Sequence, residues 1–453
     1  MRRLPVELSL DLQGNGQDIL QLRFEEIDDF HPDRIFHQVP LFADLRDARR
    51  RLSNSQTFDA AAKEVRQWFG DLNSEESTAT DPAPVEVATE PAGSDSILDQ
   101  ILSQSTETPE KRKPVQTPAS RELRDFLGKL VSPHLIRTNE AEQSRLIAAI
   151  DEATSELMRA ILHHPHFQAL ESAWRGAYLL VSRVETDADL KIFLLDAAKD
   201  EISADLKSVG NLGESALYKF LAEKTVGKSG EESWAAVCAN YTFNPDVDDT
   251  ATFMRIAQIA AATETPFIAH ARPQILGIKS LAETPDPSNW NLAADSTEAK
   301  LWTMLRSLPE ASYLGLAIPR FMARLPYGAK SEPTETFSFE EMDASPNHNH
   351  YLWANPTFVC GLLLAQSFTS SGWEIGQRFV QDIDNLPMHI YKENGESKIK
   401  PCAELVMTLN AAEKLLEQGL MPVISYRDSD RVRVARFQSI ASQPTALSGK
   451  WTS

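Results

Sequence analysis

Between residues 71 and 120 the sequence changes character, and this stretch limits the folds open to the whole chain more than any other feature. It reads DLNSEESTATDPAPVEVATEPAGSDS and then STETPEKRKPVQTPAS, with too few large apolar side chains to offset the entropy of ordering it. Residues 71–110 carry 10 acids and no base, half of the formal net charge of −20. An acidic flexible linker over 71–120 is therefore expected, with folded segments at 1–70 and 121–453. One run inside it differs. In SDSILDQILSQ, Ile97, Leu98, Ile101 and Leu102 share a helical face behind Ser96 as a cap, which predicts a short amphipathic helix over 96–104.

Ahead of the linker, VELSLDLQ and DILQLRFEEI alternate apolar and polar residues around GNG, the pattern of a strand hairpin. Pro32 suits a helix start and Pro40 a break, while Ile35, Phe36, Val39, Phe42, Leu45 and Leu52 recur at roughly helical spacing. So small a unit buries little by itself and is expected to pack on another body.

Beyond the linker, Leu146, Ile147, Ile150, Leu157, Met158, Ile161 and Leu162 mark a long amphipathic helix ending near Pro165, and a second helix carries Phe167, Leu170, Trp174, Tyr178 and Val181. Helical patterns at 254–262, 301–308, 358–368 and 405–416 then alternate with short apolar runs: LKIFLL (190–195), WAAVCAN (234–240), PFIAH (266–270), YLGLAI (313–318) and MPVISY (421–426). Gly419 is placed as a helix stop, and MPVISY with RVRVARFQ as an antiparallel edge hairpin. The expected class is α/β: a mixed sheet covered by helices, plus a small N-terminal strand-hairpin and helix unit packed on it.

An excess of 65 Asp+Glu over 45 Lys+Arg argues against nucleic acid or an anionic membrane as primary partner. Cys238, Cys360 and Cys402 lack CxxC spacing, which disfavours a disulfide framework or a zinc cluster. The start MRRLPVELSLDLQGNG has no uninterrupted apolar stretch, and no later run is long enough for a bilayer, so a cytoplasmic location without membrane insertion is expected. GxxxxGK[ST], GxSxG and HExxH are all missing, and QGNGQD lacks the third glycine of a dinucleotide loop. His163, His164 and His166 fall at a helix break, where imidazoles cap carbonyls or meet solvent; His348 and His350 fall in a polar loop. Glu340 with Glu341, and Asp28 with Asp29, are adjacent pairs whose side chains do not face a common substrate. No catalytic residue, metal or cofactor is expected. Trp174 with Arg175, Tyr313, Arg320 with Arg324, Tyr327, Trp353 and Trp373 are residue types enriched in interface anchors; the alternative is core aromatics and surface arginines.

The segment HHPHFQALESAWRGAYLLVSRVETDADLKIFLLDAAKDEISADL (163–206) resembles the signature HHPEFQxLEGxWRGLxYLV of the large subunit of the type VI secretion contractile sheath, the TssC/VipB family. TPFIAHARPQILGI (265–278), YLGLAIPRFMARLPYG (313–328) and YLWANPTFVCGLL (351–363) follow in the family's order, so that the resemblance covers about residues 96–440. Residues 6–52 are similar to the small sheath subunit, the TssB/VipA family, whose pattern is (M/I)DDFxPExVxxQVPxLxxLLxxR. Ile27, Asp28, Asp29, Phe30, Pro32, Gln38, Val39, Pro40 and Leu45 match it.

The resemblance implies a natural fusion of a partial small subunit to a large one, acting as a non-enzymatic structural component that docks on the contractile sheath, its end or the baseplate. Its implied partners are sheath subunits and baseplate components, and it implies no cofactor. Phe30, Val39, Leu45, Trp174, Arg175, Arg320 and Arg324 become candidates for subunit pairing. Ile97, Leu98, Ile101 and Leu102 match the short helix that the recycling AAA+ unfoldase recognises in the family. Large subunits continue past the equivalent of FQSIASQP with a strand-donating tail, whereas this sequence reads on to TALSGKWTS. The expectation is a large-subunit domain truncated at its C-terminus, favouring a cap or adaptor. The alternatives are a principal sheath subunit, an assembly or disassembly regulator binding the unfoldase, and, remotely, an α/β enzyme.

Overall fold

The computed structural model describes residues 6–12, 14, 16, 19–68, 142–225, 233–374 and 379–452. Backbone contacts divide the chain into two units, 1–168 with 327–341 and 169–326 with 342–453.

In the first unit, strands β1 (Val6–Asp11) and β2 (Ile19–Phe24) pair antiparallel with Val6 opposite Phe24. Helix α1 (Pro32–Gln38) begins where His31 accepts a hydrogen bond from the Asp33 amide and Pro32 fills the first helical position. Pro40 holds Val39 extended and starts α2 (Pro40–Ser53), so the two prolines set both helix boundaries. Helix α3 (Phe58–Trp68) follows, and α4 (Glu142–Leu162) packs along α2 and α3. Each brings an apolar stripe: Phe42, Leu45 and Leu52 from α2, Ala62 and Val65 from α3, and Ile150, Leu157 and Ile161 from α4. Phe24 stacks on Phe30 at 4.2 Å between ring centres, and Phe167 meets both edge-on.

The second unit begins within helix α5 (Pro165–Arg183) and contains α6 (Lys199–Ser208), α7 (Ala216–Thr225), α8 (Val247–Ala262), α9 (Thr297–Arg306), α10 (Thr357–Ser371) and α11 (Leu409–Glu417). These helices surround a six-stranded sheet. Its strands are β3 (Val237–Phe243), β4 (Phe267–Ala271), β5 (Leu314–Ile318), β8 (Asp382–Ile383), β11 (Met421–Ser425) and β12 (Val432–Val434), in the order β3-β4-β5-β11-β12-β8. The first four run parallel, and β12 and β8 close the edge antiparallel. Strand β4 sends Phe267, Ala269 and Ala271 into the apolar core shared with α8, α9 and α11, and Ile268 into the core shared with α10. Burial on both faces explains why these strands read as continuous apolar runs. Two further pairs, β6 (Phe321–Met322) with β7 (Trp353–Ala354) and β9 (His389–Glu393) with β10 (Glu396–Lys400), are separate two-stranded sheets.

The mixed, helix-covered sheet and the N-terminal hairpin agree with the expected class. Two local expectations are corrected. LKIFLL takes no regular secondary structure and belongs to none of the described sheets: Leu190 and Ile192 lean on the core, while Phe193, Leu194 and Leu195 are about half exposed or more. The pattern at 405–416 becomes helix only from Leu409, because Thr408 caps the helix through the Ala411 amide. Gly419 does stop that helix, at φ +80°.

Candidate pairing surface

Phe30, Val39 and Leu45 are fully buried in the first unit. Around them, the small-subunit-like segment meets two stretches of the large-subunit-like region, α4 and the loop 327–341. On the α4 side Arg49 donates to both oxygens of Asp151 (2.5 and 3.1 Å), Arg66 pairs with Glu142, and the Gln143 amide donates to the Leu52 carbonyl at 2.7 Å. Arg49 and Arg66 are about half exposed, so each pair contributes at most about 1 kcal/mol. Burial of the apolar stripes is therefore the larger stabilising contribution here.

On the loop side one carboxylate organises the contact. Asp33 accepts hydrogen bonds from the amides of Glu335 (2.9 Å) and Thr336 (3.0 Å) and from the Thr336 hydroxyl. Burial works against its charge, but these donors outweigh burial and lower its pKa. Beside it Phe36 stacks on Phe337 at 4.6 Å, and His31 meets Tyr327 edge-on at 4.9 Å. The loop is closed by buried Glu341, which accepts from the Tyr327 amide at 2.7 Å and lies 3.7 Å from His163. Arg159 of α4 donates to the Glu340 carbonyl at 3.0 Å. Glu341 therefore shapes a turn, and His163 faces a carboxylate. The His164 and His166 rings meet edge to face at 5.2 Å, and among the described residues no group of three or more His, Cys, Asp or Glu side chains converges as a metal site.

The remaining pairing candidates lie in the second unit. Arg175 and Arg324 converge on Glu171, a carboxylate with no exposed surface: Arg175 Nε donates at 2.7 Å, Arg324 Nε at 2.8 Å and Arg324 Nη2 at 3.3 Å. Trp174, one residue before Arg175, is half-buried. Arg320 holds buried Glu404 through its own amide (3.0 Å) and guanidinium (2.7 and 3.1 Å), and His348 Nε2 lies 3.4 Å from the same carboxylate. Burial opposes the charge on Glu404, yet Arg320 and His348 keep its pKa well below the usual carboxylate range. Arg320 and Arg324 thus hold the unit's own carboxylates. Gly176, next to Arg175, lets α5 cross α10 closely, since a Cβ there would lie 2.3 Å from the Phe358 ring. Asn355 bridges the Tyr241 carbonyl (3.1 Å) and the Thr357 amide (3.0 Å). The three thiols are free, and burial pushes those of Cys238 and Cys402 up to about 12, far from nucleophilic use. Ile97, Leu98, Ile101 and Leu102 lie outside the described residues.

These groups come from the segments that carry the large-subunit signature: Phe167, Glu171, Arg175 and Gly176 from the first, Arg320 and Arg324 from the third, Asn355 and Phe358 from the fourth. Residues 144–442 match VipB, described as EvpB/VC_A0108, tail sheath N-terminal domain. The chain belongs to the VipB tail-sheath family. Residues 3–79 match a second family, described as Type VI secretion system, VipA, VC_A0107 or Hcp2. Against the type VI secretion system sheath protein TssC1 of Pseudomonas aeruginosa the chain is 32% identical over 317 residues, which is 69% of this chain and 63% of that protein. The match thus spans less than two thirds of that relative's length. The chain is a fused VipA-like and VipB-like sheath protein, in which the VipA-like segment packs on α4 and the loop 327–341 of the VipB-like region.

Asp33, Glu171, Glu341 and Glu404 escaped the sequence reading as organising residues. For Asp33 there was a signal, because it stands where the small-subunit pattern carries Glu.

Proposed function

We propose that this protein is a non-enzymatic structural component of a type VI secretion apparatus, a cytoplasmic sheath paralogue that docks on the contractile sheath, its end or the baseplate. One observation carries the reading: the two sheath modules stand in one chain, and the small-subunit-like one is seated on α4 and the loop 327–341. Among the described residues no helix is long and apolar enough to cross a membrane, in keeping with a role inside the assembly. Trp174 and Arg175, half-buried on α5, are proposed as the rim through which the second unit meets a neighbouring subunit. Recovery of a tagged chain from its host, followed by mass spectrometry and electron microscopy, tests this. Sheath or baseplate components should co-purify, and the purified chain alone should form no long tubes. Tubes formed alone would make it a principal sheath subunit, and recovery without any apparatus component would remove the docking role.

A further inference from the structure

We infer that the chain is its own small-subunit partner: residues 6–68 fill in cis the surface made by α4 and the loop 327–341 and thereby shut out a separate VipA-type small subunit. This rests on the small-subunit reading of the N-terminal segment but not on docking to any apparatus.

Three observations support it. The occupant is complete in its apolar contacts, with Phe24, Phe30, Ile35, Phe42, Leu45 and Val65 all essentially without exposed surface. A second small subunit would have to displace all of them. The site is also specific, because Asp33 fills the three donors of the Glu335–Thr336 turn and Phe36 covers Phe337. With Asp33 withdrawn, two backbone amides and a hydroxyl would lose their acceptor. Finally, covalent joining makes the contact intramolecular, and partners joined in one chain meet at an effective concentration that does not fall on dilution. A free competitor of equal intrinsic affinity must reach that effective concentration before it fills half of the sites.

The test replaces Phe337 in the full-length chain by the photoreactive p-benzoylphenylalanine, with and without an excess of a purified VipA-type small subunit. Irradiation is expected to leave a cross-linked monomer on a denaturing gel, with the link mapping to residues 6–68 and the yield unmoved by the added subunit. A covalent dimer of the chain would mean that the segment is exchanged between copies, and a conjugate with the added subunit would mean that the surface is open. Either result overturns the inference. Asp33→Ala should lower the internal cross-link yield several-fold while Asp33→Glu keeps most of it, and an unchanged yield in Asp33→Ala would remove Asp33 as the determinant. Failure to recover apparatus components would count against the docking role alone and leave an internal cross-link standing.

Discussion

Glu171 shows how a buried charge can be tolerated. Its carboxylate is shared by Arg175, mostly buried on the same helix, and by Arg324, buried on a distant segment. Replacing Glu171 by Ala removes the carboxylate that the buried Arg324 guanidinium faces, and a loss of about 3–5 kcal/mol is expected in urea unfolding. A double change, Glu171→Leu with Arg324→Met, should recover most of that loss, because an apolar pair of similar volume needs no counter-charge. His270 on β4 makes a different prediction. Its Nδ1 lies 3.2 Å from the Thr242 hydroxyl, and its ring is buried, with Arg320, Glu404 and Arg272 as the charged groups near it. Burial first, and the Arg320 charge second, lower its pKa to about 3. The unfolded chain therefore binds this proton at a higher pH than the folded one does, and stability is lost as pH falls below about 6.5. Between pH 7 and 5 the loss from this group should be about 2 kcal/mol, read from urea midpoints, and His270→Gln should flatten that slope.

At the scale of elements, the β9–β10 hairpin stands apart in the second unit as a two-stranded sheet. It pairs with no other strand, and its cross-strand Ile390 and Ile399 face solvent. Its attachments include the Tyr351 hydroxyl on His389 at 2.9 Å, the Ser345 hydroxyl on Glu393 at 2.8 Å, and Lys400 over the Tyr351 and Trp353 rings at 5.4 and 5.9 Å. Two-stranded hairpins are marginal in water. Amides of β9 and β10 should therefore exchange with deuterium orders of magnitude faster than those of β4 and β5, and equal protection would show that the hairpin is part of the cooperative core. Elements set by local chemistry were legible in the sequence: the β1–β2 hairpin from alternation, the α1 and α2 boundaries from Pro32 and Pro40, the α11 stop from Gly419. LKIFLL was less so, since an apolar run shows that a segment is sticky but not that a neighbouring strand exists for it. The carboxylates that Arg320 and Arg324 hold were not legible either. Which carboxylate an arginine faces depends on segments 84 and 153 residues away, and no local pattern encodes that.

At the scale of the molecule, the small-subunit-like segment is held by surfaces from two distant parts of the chain. If a protease site is inserted at residue 80 and cleaved, the N-terminal fragment should co-elute with the remainder in gel filtration at low micromolar concentration. Separation of the two pieces would mean that covalent joining, and not the buried stripes of α2, α3 and α4, holds them together. The loop 327–341 also carries a consequence for synthesis. Asp33 leaves the ribosome early, but the Thr336 amide that meets it is made 303 residues later. At bacterial elongation speeds that interval is on the order of 15 to 60 seconds. For the first part of it even α4 is not yet made, and after that the nascent segment has α4 to lean on but lacks its final clasp, so the first unit is finished only after more than half of the second has been translated.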